Sequence, residues 1–182
     1  NPLPHKGLTL FAAIAARAAR ERPEMRFLVT EGRMTPDLLR RHGFDPATSP
    51  NTWLISTRRD VRDLWRRTAV LLAPSFCKEG FGQVVAEAQL SAIPAIASTR
   101  GGLPEALNGG IALDIPEECA SDHSARPDEA SVARWFQALA ALWDDADIYA
   151  DATAAAREAG AAFAPERTRA AAIETLARLA AA

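Results

Sequence analysis

The chain has 182 residues, 48% of them hydrophobic and 24% charged, with a formal charge of −2. That describes one globular domain, long enough to bury a full core. The slight negative charge argues against nucleic acid or an anionic membrane as the main partner, and no apolar run reaches transmembrane length.

Residues 1–7, NPLPHKG, read as a proline-rich turn that delivers Lys6, followed by a helix over 8–20 with Leu8, Phe11, Ala12, Ala15 and Ala18 on one face. Pro23 ends it, and 26–30 reads as a strand. Glu31-Gly32-Arg33 is the loop at that strand's carboxyl end and receives no role. A short helix over 36–41 leads into a loop dense in turn residues, then a strand over 52–55 and a helix over 60–67. The apolar run 69–73 has the length and content of a buried parallel strand. After it come the loop Glu79-Gly80-Phe81-Gly82, a helix over 83–92, and a strand over 95–97 behind Pro94, which Gly101-Gly102 closes. Residues 111–113 form a last short strand and 116–127 a loop. Three helices follow. The first carries Val132, Phe136, Leu139 and Trp143, the second spans 147–161, and the third starts at Pro165 with Ile173, Leu176, Ala177 and Ala180 on one face. These stripes read as core. Alternating strands and helices give an α/β fold, a Rossmann-like parallel sheet flanked by helices.

The chemistry concentrates in residues 74–110. Loops at the carboxyl ends of parallel strands are where open α/β sheets place ligands. Gly80 and Gly82 let the backbone turn tightly and approach a ligand. The helix starting near Gly82 presents free amides, including those of Gln83 and Val84, and a partial positive charge, which suit phosphate. Glu79 and Glu87 are poor phosphate ligands but good acceptors for paired hydroxyls, as on a sugar or a ribose. Phosphate on amides and hydroxyls on two glutamates together describe a nucleotide-sugar. Cys77 and Cys119 make at most one bridge, which nothing requires, so a reduced cytoplasmic setting is expected. His5, His42 and His123 are scattered and supply no metal-ligand spacing, so no metal is expected. His5 reads as solvated and His123 has no evident partner.

The stretch resembles the donor-binding half of GT-B glycosyltransferases, in particular the large retaining group 1 family, family 4. The family's E-x7-E matches Glu79 and Glu87, its GFG matches Gly80-Phe81-Gly82, its GG-x-P-E matches Gly101-Gly102-Leu103-Pro104-Glu105, and its Lys-Gly pair matches Lys6-Gly7. Two positions depart from the pattern: Ala92 stands where glycine is usual, and Ala95 where a larger branched residue is usual. The family's arginine ahead of the Lys-Gly pair falls at Asn1 or before it. The resemblance implies one half of a GT-B fold, a nucleoside-diphosphate sugar as donor substrate, no cofactor, and an acceptor held by an absent N-terminal domain. It further implies a cytoplasmic enzyme whose membrane contact, if any, is peripheral and made through that absent half. Within it Lys6 clamps the diphosphate, Glu79 holds the transferred sugar and Glu87 the ribose. Arg58 follows the 52–55 strand in a loop that lies against the base, where a guanidinium can stack. An epimerase or phosphorylase of the same architecture, and a non-catalytic nucleotide-sugar-binding module, are the alternatives.

Overall fold

The computed structural model describes residues 2–32, 34–41, 44–45, 47–57 and 60–180. A short 3-10 turn at Pro4–Lys6 leads through Gly7 into helix α1, Leu8–Glu21. Strand β1, Phe27–Thr30, is followed by α2, Pro36–Arg41, and β2, Thr52–Ile55, which pairs parallel with β1 from Phe27↔Thr52 to Thr30↔Ile55. Helix α3, Arg62–Trp65, leads to β3, Leu71–Ala73. Helix α4, Gln83–Leu90, joins β3 to β4, Ala95–Ser98, and α5, Leu103–Leu107, joins β4 to β5, Ile111–Leu113. These three strands form a second parallel sheet in the order β3-β4-β5. The chain finishes with α6, Glu117–Ser121, α7, Glu129–Asp144, α8, Ala146–Ala161, and α9, Pro165–Ala180.

The central strand explains the layering. All four residues of β4 are buried, and successive side chains face opposite sides. Ile96 enters the larger core with Leu10, Ile14, Phe27, Phe76, Trp135 and Phe136, beneath α1 and α7. Ala95 and Ala97 face Val85, Leu103 and Leu107 of α4 and α5. Small residues on that side let the two helices sit close to the strand. A third cluster, Leu8, Val29, Met34, Leu39 and Phe44, fills the space under α2. Among the described residues no helix is long and apolar enough to cross a membrane.

The expected strands and helices are present in order, with helix α6 in addition, and the strand pairings among the described residues are parallel. Several details differ. The strand expected over 69–73 begins at Leu71, and the helix expected over 60–67 shortens to Arg62–Trp65, because the Asp60 carboxylate accepts the Arg62 amide at 3.0 Å and holds the chain ahead of the helix in a turn. The buried face of α1 centres on Leu10 and Ile14, while Phe11 lies at its edge, edge-on to Phe27 and Phe44. Residues 116–127 are not all loop: Glu117 and Glu118 favour a helix amino end, and Cys119 anchors α6 in the core. On α7 the inward residues are Val132, Trp135, Phe136, Leu139 and Leu142, and Trp143 is exposed. On α9 no residue is buried, so the stripe expected to be core faces outward.

Candidate functional site

The turn that carries Lys6 lies against the end of β3 because Gly7 has no side chain. Gly7 sits at φ 81°, and a Cβ there would fall 1.9 Å from the Pro74 carbonyl oxygen. The His5 carbonyl accepts the Phe76 and Cys77 amides at 3.0 and 3.1 Å, which locks the turn onto the strand end. Lys6 and Glu79, 73 positions apart, thereby meet: Lys6 Nζ donates to Glu79 Oε1 at 2.5 Å. Ser75 Oγ donates to the same oxygen at 2.6 Å, while Ser98 Oγ donates to the Ser75 carbonyl at 2.7 Å. Burial pushes the Glu79 pKa up, but the Lys6 and Ser75 hydrogen bonds and the Lys6 charge outweigh it and hold the carboxyl below its ordinary value. Glu79 is therefore an ionised acceptor fixed through one oxygen.

Gly101 and Gly102 do not close β4, which ends at Ser98. They dock the loop after β4 onto the loop after β3. Glu79 and Gly101 form a parallel bridge, and the Gly102 amide donates to the Glu79 carbonyl at 2.8 Å. A Cβ on Gly101, at φ 63°, would lie 2.3 Å from Glu79 O, and one on Gly102 would lie 2.5 Å from Gly80 O. Both glycines thus set the height of the Glu79 backbone. Gly80 differs: a Cβ there would meet nothing within 4 Å, so its lack of a side chain leaves space above the turn.

Gly82 enters α4 in the left-handed region at φ 92°, and no side chain caps the helix. The Val85 and Ala86 amides turn back to the Gly82 carbonyl, whereas those of Gln83 and Val84 have no partner among the described residues. Gln83, Val84 and Phe81 are exposed, and the Phe81 ring stands edge-on to Phe163 at 5.6 Å. Glu87 lies one turn beyond Gln83, exposed. The result is an open ledge: an ionised carboxylate whose second oxygen has no partner among the described residues, an ammonium, the two amides at a helix amino end, and a second carboxylate along the helix. Such a ledge offers donors to an anion and acceptors to hydroxyls.

The structure therefore brings Lys6, Glu79, Gly80, Gly82, Gln83 and Val84 to one sheet edge. It pairs Lys6 with Glu79, where the sequence reading gave them separate duties. Arg58 lies outside the described residues. Sequence reasoning missed four contributors. Ser75 holds Glu79 and Ser98 holds the Ser75 backbone; Arg100 Nε donates to the Phe76 carbonyl at 3.2 Å; and His123 stacks on Phe76 with ring centroids 6.4 Å apart. Only the hydroxyls so near the Glu79 loop carried a local signal. Two hollows of the described surface lie elsewhere, one of about 30 Å³ beside Gln89 and Ala156 and one of about 410 Å³ beside Val70, Trp143 and Tyr149.

Comparison with known proteins follows this geometry. The family model of glycosyl transferases group 1 matches residues 1–145. A D-inositol 3-phosphate glycosyltransferase of Mycobacterium tuberculosis (strain ATCC 25618 / H37Rv) is 32% identical over 105 residues, 54% of this chain and 22% of that protein. The chain thus spans under a quarter of that relative's length. Among solved structures, the GtfA/B complex superposes with a TM-score of 0.77 at 18% identity, over 96% of this chain and 33% of that one. Anabaena Alr3699/HepE in complex with UDP-glucose gives 0.65 at 17% identity, over 87% and 41%. The structural likenesses establish an α/β fold of the GT-B kind, and with the family model covering most of its length the chain belongs to the group 1 glycosyl transferases.

Proposed function

We propose that this chain binds the nucleoside-diphosphate sugar of a retaining, hexosyl-transferring enzyme whose acceptor is held by a second domain. The observation that carries this reading is the placement of an ionised Glu79 between Lys6 and the uncapped amino end of α4, all at the carboxyl edge of the parallel strands. The solved relative HepE carries UDP-glucose, which supports a donor of the same class here.

Glycosyl transfer builds negative charge on the departing diphosphate as the anomeric carbon becomes oxocarbenium-like. Amides fixed at Gln83 and Val84 and the Lys6 ammonium stabilise that charge without needing to reorganise. These donors supply the leaving group's stabilisation by themselves, and in this reading no metal takes part. The free oxygen of Glu79 accepts hydroxyls of the transferred sugar and orients it, and Glu87 accepts the ribose hydroxyls. Lys6, shared between Glu79 and the diphosphate, couples sugar placement to leaving-group placement. No side chain here serves as nucleophile, and retention follows from the family resemblance.

Isothermal titration of the intact protein with UDP, ADP and GDP tests the reading. One of them binds, and Glu87→Gln weakens it by roughly tenfold, the worth of a charge-assisted pair of hydrogen bonds. Glu79→Ala lowers transfer by the intact enzyme more than it lowers nucleotide affinity. Failure of all three nucleotides to bind, or an unaltered affinity in Glu87→Gln, defeats it.

A further inference from the structure

Lys6 is engaged by Glu79, so a diphosphate arriving at α4 meets an ion pair and not a lone ammonium. Two imidazoles stand beside that ion pair. His5 precedes Lys6 on the turn, and His123 arrives from the connection between α6 and α7; their ring centroids lie 6.2 Å apart at an angle of 54°. Their positions are built by the backbone. Asp122 accepts the Ser124 amide on its carboxylate at 2.8 Å and the Ala125 amide on its carbonyl at 2.9 Å. Thr9 Oγ1 of α1 donates to the Ala125 carbonyl at 3.0 Å, which ties that connection to the same helix the Lys6 turn leads into. His123 is further held by Phe76, onto which it stacks at 30°, and the Phe76 amide in turn binds His5. Three elements thus converge to hold two half-buried imidazoles beside Lys6, with ring nitrogens that no described side chain or backbone group engages.

We propose that His5 and His123 form a second wall of the diphosphate subsite, and that His5, neutral in the free protein, is protonated when a diphosphate is bound, so that binding takes up a proton from solvent. The inference rests on the donor reading above and adds to it the residues that complete the anion site. The titratable and charged groups around His5 are Lys6 on its own turn, Glu79 from the loop after β3 and His123 from the α6–α7 connection. Burial lowers the His5 pKa first, then the Lys6 charge and His123, with Glu79 opposing them. A diphosphate opposes that field: it adds negative charges where the Lys6 ammonium now repels a proton. The imidazolium so formed donates from both ring nitrogens, where the neutral ring donates from one, and supplies the positive charge that Lys6 has shared with Glu79.

The test follows the C2–H proton resonances of the histidines in the intact protein against pH, with and without UDP, ADP and GDP. Saturation with the nucleotide that binds raises the pKa of His5 by about one unit or more. His5→Gln and His123→Asn each weaken that nucleotide by roughly three- to tenfold at pH 7, and His5→Gln flattens the fall in affinity expected of the wild type as pH rises from the free to the bound His5 pKa. The resonance shift is read on the unmutated protein, so it stands even where a variant folds poorly. A nucleotide that binds while the His5 pKa stays put overturns this inference and leaves the donor reading intact. Absence of binding by all three overturns the donor reading and this inference with it.

Discussion

Ala92 turns the chain between α4 and β4 at φ 56°, in the left-handed region that costs an L-residue about 1–2 kcal/mol. It is the position where the family pattern has glycine. The strain persists because the Ala92 amide closes a turn on the Gln89 carbonyl at 2.9 Å and the Ile93 amide closes one on Ala88 at 2.9 Å. Ala92→Gly relieves the strain but frees the unfolded chain, and the two offset to a gain of roughly 0.5–1 kcal/mol. Thermal unfolding should register it as a higher midpoint by a few degrees; a lower midpoint contradicts it. Other residue-scale features work through contact and not strain. Gly7, Gly101 and Gly102 are present because backbone oxygens occupy the volume of a Cβ. Those contacts, and not any intrinsic turn preference, bring Lys6 and Glu79 together.

Among elements, α4 matters most to the site, since its amino end supplies the amides. It is held from behind by α8, where Gly160 lies so close that a Cβ would fall 2.3 Å from the Gln89 carbonyl oxygen. Gln89 is itself buried and donates to the Leu107 carbonyl, linking α4 to α5. Gly160→Ala must push α8 away from α4, an overpacking cost of about 1–3 kcal/mol, or roughly 2–10 °C in midpoint. Because the shift is carried along α4, nucleotide affinity falls with it. A variant as stable and as tight-binding as the wild type would show that α8 does not brace the ledge. The carboxylate caps of the neighbouring helices serve the same stiffness: Asp128 accepts the Ser131 amide at 2.8 Å, and Asp145 accepts the Asp147 and Ile148 amides.

For the whole molecule, α9 stands apart. Ile173, Leu176 and Leu179 are 57%, 66% and 69% exposed, although their spacing is that of a core-facing stripe. Replacing Ile173 and Leu176 by serine in this chain should therefore change unfolding free energy by within about 0.5 kcal/mol each. A loss above about 2 kcal/mol for either would be a core cost and would overturn that assignment. The same reasoning marks how far the sequence was legible. The stripe on α9 was visible, but periodicity reports that a helix has an apolar face, never what lies opposite it. On α7, positions 132, 136 and 139 lead by helical spacing toward both Leu142 and Trp143. Only the packing of α8 and β3 alongside decided that Leu142 turns inward and the larger ring does not.

By itself the sequence determined the order of parallel strands and helices, because periods of two and of 3.6 and the glycine and proline breaks between them are local properties. It determined the glycine turn at 80–82, the helix that follows and the acids flanking it, for the same reason. Only the tertiary structure decided that Lys6 is bound to Glu79, that Ser75 and Ser98 brace it, and that His123 arrives beside His5 from more than a hundred residues away. These meetings depend on how closely backbones approach where glycines leave room. That distance is set by the whole packed fold and by no single stretch of chain.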